Sequence, residues 1–362
     1  MTAAVRLARA ADEPGLLALA RACPMPGAVT IRTEREPRFL ALNELQGAPW
    51  NVAVADEGGR IVASASSAVR DVYIDGHPTR CAYLGDLRIA PEARGGTLLW
   101  RIHRFVADIL RANDVDLAHG SIVEGNVAGA TLREERRGVP RYRPLGRIRV
   151  CAISGVRRSA AGGSIAIRRA RPDDLPEVAR ALDAFCARHD FAPVWTPDRL
   201  AAAIAATPGL AIDRFLLAFD GATLAGVLAA WDQDALQRRR VLRYGGRVAL
   251  YRALHDLRAR ARGGPLLPAP GEVIRELHVT HVGVADDRPE VFAALLRAAW
   301  TGAARSYHCM TFGLAEGHPL LGALAAFEHG AFHTVLHAVS WSDGRWAGHP
   351  FRGRLFHEIS HL

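Results

Sequence analysis

Apolar and polar positions alternate in short blocks along most of this chain, and the blocks recur twice in the same order. Val5 and Leu7 begin a strand, and the acidic Asp12 leads into an apolar helix over 16–22. Strands are predicted near 51–55, 60–74 and 80–90, then a helix over 96–111, a strand over 117–122, a helix over 127–137 and strands between 141 and 153. The pattern then restarts: Ile167-Arg168-Arg169-Ala170-Arg171-Pro172-Asp173-Asp174 echoes Val5-Arg6-Leu7-Ala8-Arg9-Ala10-Ala11-Asp12. A helix over 175–187 follows, with strands near 214–219, 222–231 and 271–285. A helix over 289–304, a strand over 308–314, a helix over 319–328 and a strand over 331–342 complete the second round. Self-similarity on this scale indicates an internal duplication. The expected fold is α/β (α+β): two tandem modules over 1–155 and 165–345, each a mixed, largely antiparallel sheet flanked by helices. Residues 156–164 form a glycine- and serine-rich linker, and 346–362 a C-terminal tail. An insertion over 234–268 interrupts the second copy, and its arginine-rich part from Asp234 to Ala261 is expected to be helical.

The most informative segment is YLGDLRIAPEARGGTLLWRI, residues 83–102. An extended run from Tyr83 to Ile89 meets Pro91, then Arg94, Gly95 and Gly96, then an amphipathic helix. That layout presents backbone N–H groups at a helix N-terminus, where the dipole favours a diphosphate and glycines allow its close approach. The run Ile89-Ala90-Pro91-Glu92-Ala93-Arg94-Gly95-Gly96-Thr97-Leu98-Leu99 resembles the acetyl-CoA signature of the GCN5-related N-acetyltransferase (GNAT) family. Arg94 fits the basic position of that signature. Thr97 and Leu99 stand where its glycines belong, so Gly95 and Gly96 would cradle the phosphates in a shifted register. Further on, Glu124-Gly125-Asn126-Val127-Ala128 resembles the family's Asn-x-x-Ala helix start, but Arg133 or Glu134 replaces the closing tyrosine before Gly138.

The resemblance implies two GNAT-like modules with acetyl-CoA as co-substrate, held by Leu87, Arg88, Ile89, Arg94, Gly95, Gly96, Thr97, Leu98 and Asn126. Backbone N–H groups near Leu87 to Ile89, freed by a bulge or splay, would polarise the thioester carbonyl. Asp86, on the strand lining the acceptor site, is the candidate base, with Glu124 second. Tyr142 is the candidate acid in place of the missing tyrosine. The expected activity is N-acetyl transfer to a small-molecule or peptide amine by direct attack. The alternative is a catalytically weak CoA-binding or regulatory protein.

The second copy has Asp286-Asp287-Arg288-Pro289 where the first has its glycines, and two carboxylates there would repel a diphosphate. It is therefore expected to be degenerate, with His278, His281 and Trp231 on strands facing an acceptor pocket. His329, His333 and His337 have helical metal-site spacing, but the alternation of Phe332, Thr334 and Leu336 indicates a strand, so no metal is expected. All 46 basic side chains are arginine and the net charge is +9, which suits an anionic cofactor. No basic run interleaved with aromatics suggests nucleic acid. The five cysteines are scattered without CxxC spacing, no signal peptide is evident, and no apolar run approaches membrane-spanning length. A cytoplasmic protein without a membrane partner, monomeric or homodimeric, is the expectation.

Overall fold

The computed structural model describes residues 3–126, 131–133, 139–157, 165–262 and 266–361. The first half runs β1 (Ala4–Leu7), α1 (Glu13–Ala22), β2 (Val29–Glu34), α2 (Ala41–Glu44), β3 (Trp50–Glu57), β4 (Arg60–Ile74), β5 (His77–Ile89), α3 (Leu98–Ala112), β6 (Leu117–Val123) and β7 (Arg141–Val156). The second half opens with β8 (Ile165–Arg169), α4 (Leu175–Cys186), β9 (His189–Asp190), α5 (Pro197–Ala206), β10 (Phe215–Asp220), β11 (Thr223–Asp232), β12 (Arg238–Tyr244) and α6 (Gly246–Arg262). It closes with β13 (Val273–Ile274), β14 (Glu276–Val284), α7 (Pro289–Ala303), β15 (Cys309–Ala315), β16 (Phe327–Ser340) and β17 (Arg354–Leu355). The repeat seen in the sequence recurs in atomic detail. Arg6 grips Asp12 through hydrogen bonds of 2.7 and 2.8 Å, and Arg168 grips Asp174 at 2.6 and 2.8 Å. The same carboxylates accept the Arg9 and Arg171 backbone N–H, each at 2.7 Å.

Twelve strands form one sheet in the order β1-β3-β4-β5-β6-β16-β7-β15-β14-β11-β10-β8. Read from either edge, the order is five strands of one half followed by the sixth strand of the other. The halves have therefore exchanged the last strands that each gives to this sheet, where the sequence suggested a separate sheet for each module. β16 runs antiparallel to both β6 and β7, from Phe327 opposite Val156 to Ser340 opposite Arg141. β7 in turn runs antiparallel to β15.

Helices cover the sheet through apolar stripes. Leu98, Ile102 and Val106, at helical spacing, set α3 in a cluster with Leu16 and Leu19 of α1 and with Val54 and Ala63. In the second half, Phe292, Leu295 and Leu296 of α7 pack with Leu228 and Phe312. The tail lies against the sheet centre, where Trp346, Phe351 and Ile359 join Val72, Cys81, Ile148 and Leu336, and β17 pairs in parallel with β9.

Two elements differ from expectation. The insertion begins as a strand rather than a helix: β12 pairs with β13 and with β2 of the first half, and Arg240 makes a two-pronged ion pair with Glu34 at 2.7 and 2.9 Å. Gly245 and Gly246 halt the helical pattern, and β2 offers β12 an open edge. Residues 319–326 form 3₁₀ turns rather than an α-helix. The helix expected over 127–137 lies largely outside the described residues, as does most of the linker.

The strand exchange predicts that residues 1–155 expressed alone will aggregate, because both β6 and β7 lose β16 and expose open edges. Co-expression with 165–362 should restore a soluble one-to-one complex on size exclusion. A soluble, monomeric 1–155 fragment would contradict this.

Candidate functional site

The strand–loop–helix joint of the first half has three features. The ladder between β4 and β5 slips at Asp86 and Leu87: Ser66 faces Gly85, Ser64 faces Arg88, and Ala65 alone answers the two intervening residues. This is a β-bulge, with Asp86 held at a φ of +53°. Next, β5 and β6 pair in parallel only at Ala82–Ala118 and Tyr83–His119, then part. Gly120 sits at the parting, where a Cβ would come within 2.9 Å of the Leu84 carbonyl oxygen. Finally, Gly95 has a φ of +85°, and at both Gly95 and Gly96 the place of a Cβ is open space. The Thr97 side chain makes no capping bond to the first turn of α3. Arg94 donates from Nε to the Ile89 carbonyl at 3.1 Å, drawing the loop back toward the end of β5. Leu87 is exposed, Arg88 and Ile89 are half-buried, and Leu98 at the start of α3 is buried in the core.

Asp86 is not the free base expected from sequence. Its carboxylate receives Arg35 at 2.8 Å, Arg88 at 2.6 Å and the Asn43 amide at 2.8 Å. Burial alone would raise its pKa, but the two guanidiniums and the amide outweigh burial and hold the carboxyl well below the usual carboxylate range. Arg35, itself buried, also donates to Gln237 at 3.0 Å, so the inserted segment reaches this site. Arg35 and Arg88 both stack on Phe39, at 4.9 and 5.5 Å. Nothing in the sequence around Glu34-Arg35-Glu36 marks Arg35 as buried.

The other expected chemistry is dispersed. Glu124 is exposed and paired with Arg147 at 2.9 Å. Tyr142 is buried against His103, with Leu110 and Trp341 in the same cluster, and burial pushes its phenol up. It is a core residue under α3 and cannot serve as the sequence-proposed acid. Asn126 is exposed after β6, its N–H bonded to the Val123 carbonyl at 3.1 Å. His278 bonds Thr311 at 3.1 Å, the Trp231 indole donates to the Pro208 carbonyl at 2.8 Å, and His281 packs against Trp195 and Phe215. These three build the core of the second half rather than an acceptor pocket. His329, His333 and His337 lie along β16 with separate partners and share no common point.

The second half has the bulge without the loop. His281 and Val282 face Leu228 alone, and His281 has a φ of +50°. Leu98 follows Ile89 by nine positions, but Pro289 follows Val284 by only five. Asp287 fills that short joint, receiving Arg188 at 3.0 Å and also Arg354 from the tail. Asp287 lies near His189 and His318, a cluster with metal-ligand composition. However, the His318 Nδ1 accepts the Leu320 N–H at 3.1 Å, and the His189 Nδ1 faces the Phe185 carbonyl at 2.7 Å. Those bonds fix the tautomers, so His318 Nε2–H donates to His189 Nε2 at 2.9 Å, and no pair of lone pairs points at one ion.

A buried polar group that the sequence does not mark lies where β5 and β6 part. Tyr83 lies 5.5 Å from His119 and 6.1 Å from His357 of the tail, ring to ring. Burial pulls His119 far down and His357 down to about 3, so both rings are neutral at physiological pH. Neither ring has a hydrogen-bond partner among the described residues. Glu358 accepts from Thr280 at 2.9 Å beside them. His119 sits inside an apolar strand and His357 in the tail, so only folding brings them together.

The folded-state pKa of Asp86 lies below its unfolded value of about 3.9, so its stabilisation is present above that pH and is lost as pH falls. Asp86→Asn strands Arg35 and should cost about 3–5 kcal/mol at neutral pH. Thermal melts should show the gap to wild type narrowing below about pH 4. An unchanged melting temperature at neutral pH would refute this account.

No protein-family model matches the chain, and no curated protein matches it. Solved structures do. Saccharomyces cerevisiae N-myristoyltransferase with bound myristoyl-CoA superposes with a TM-score of 0.60 at 9% identity, over 92% of this chain and 82% of that one. A second structure of that enzyme gives 0.61 at 10% identity, over 94% and 79%. A GCN5-related N-acetyltransferase from Sphaerobacter thermophilus gives 0.56 at 14% identity, over 93% and 95%. These likenesses extend over most of each chain and show the fold: a large mixed sheet flanked by helices, of the GNAT kind.

Proposed function

We propose that the chain is an acyl-CoA-dependent N-acyltransferase, with acetyl-CoA as the expected donor and an amine as the acceptor. One observation carries this: the open Gly95–Gly96 turn at the start of α3 lies beside the parting strands and the bulge, in the first half alone. The diphosphate would sit on the α3 N-terminus and the pantetheine between β5 and β6. The N–H groups at the Leu87 bulge would stabilise the oxyanion. The amine nitrogen attacks the thioester carbonyl, the C–N bond forms and the C–S bond breaks. The amine loses its proton to solvent, and CoA leaves as a thiolate that solvent protonates. Asp86 acts as a fixed anion that holds Arg88 and the bulge in place. The N-myristoyltransferase structures contain myristoyl-CoA, which supports a CoA thioester as donor and leaves chain length to experiment.

A second function, CoA binding without transfer, is favoured by the pinned Asp86 and the buried Tyr142, which leave only the surface ion-paired Glu124 among the sequence candidates. Saturating acyl-CoA should raise the melting temperature by roughly 2–4 °C. Gly96→Val, which has room in the unliganded loop and no positive φ to strain but intrudes into the phosphate space, should abolish that shift with the unliganded melt nearly unchanged. Thiol release with an amine panel then separates the two functions. No shift with acetyl-CoA or any longer acyl-CoA would overturn both.

A further inference from the structure

Among the described residues the helix α6 has no counterpart in the first half, and its outward face is apolar. Leu250, Tyr251, Leu254 and Leu257 are 64, 56, 47 and 68% exposed. With nearby Leu266 they make up five of the ten large hydrophobics exposed among the described residues, so exposure is concentrated here rather than scattered. At 100° per residue, Leu250, Leu254 and Leu257 fall on one stripe. Arg247 lies along one border and Arg260 along the other. The helix contains five arginines and one aspartate.

The opposite face already holds α6 to the body. Asp256 and Ala259 are buried, Asp256 accepts the Leu267 N–H at 2.9 Å, and Arg252 stacks over Tyr244 at 5.5 Å. Gly245 donates to the Ala28 carbonyl at 2.8 Å, fixing the start of α6 against the first half. The stripe is therefore presented on a fixed helix.

We propose that α6 is an interfacial membrane-binding element: its leucine stripe enters the headgroup boundary of an anionic bilayer while its bordering arginines pair with lipid phosphates. The charge pattern selects this occupant. Nucleic acid would use the arginines but has no place for the leucines. A second copy, packed stripe to stripe, would bring like-charged Arg247 and Arg260 borders together. An anionic lipid surface satisfies both features at once. No helix of the described residues is long and apolar enough to cross a membrane, so the contact lies in the interface plane.

Co-sedimentation of the full chain with vesicles of equimolar phosphatidylglycerol and phosphatidylcholine tests this. Wild type should pellet with these vesicles, and at least tenfold more weakly (~10-fold) with phosphatidylcholine alone or at raised salt. Leu254→Ser with Leu257→Ser, and separately Arg247→Glu with Arg260→Glu, should each lose binding by about tenfold or more while circular dichroism and the melt stay as in wild type. The charge pair lies on exposed turns, so it keeps the test informative even where the serine pair perturbs folding. Wild type remaining in the supernatant overturns the proposal. So does charge reversal without effect, or an equilibrium dimer in analytical ultracentrifugation that the serine pair dissociates.

Discussion

The antiparallel ladder of β6, β16, β7 and β15 is the constraint on which the rest of the molecule depends. Each half ends in a strand that completes the other, so neither has a finished sheet of its own. Backbone pairing along β7 and β16 fixes the register between the halves. Once that register is set, the tail can cross the sheet centre, and the inserted strand β12 can pair with β2 on the far side of the joint.

The two halves share a skeleton and differ in what they leave open. Both fourth strands carry a bulge with one residue at positive φ, Asp86 in one and His281 in the other. The kink is thus a property of the fold, and the chemistry around it is not. In the first half the kink leads to an open glycine turn. In the second, α7 starts sooner, His281 is packed among aromatics, and the residues of 356–359 press against the strands, with Ile359 over Gly313.

Local features were legible in the sequence and distant pairings were not. The duplicated Arg–Asp starts, the helix α3 and the glycine turn follow from spacing and turn chemistry over a few residues, and the structure has all of them. The exchange of β7 and β16 was hidden, because period-two alternation identifies a strand without naming its neighbour. The same limit concealed the environment of Asp86: Arg35, Asn43 and Gln237 come from segments far apart in the chain. The place of Tyr142 was open in the sequence for a related reason. A tyrosine on a strand looks alike whether its ring faces a cleft or, as here, the underside of a helix.

The Asp287 cluster gives the asymmetry an electrostatic meaning. At the start of α7, a side-chain carboxylate is held by Arg188 and Arg354. The second half thus carries a counter-ion for its helix start covalently. The turn from Arg94 to Thr97 contains no carboxylate, so one helix start is neutralised from within the chain and the other keeps its positive end uncompensated by its own loop.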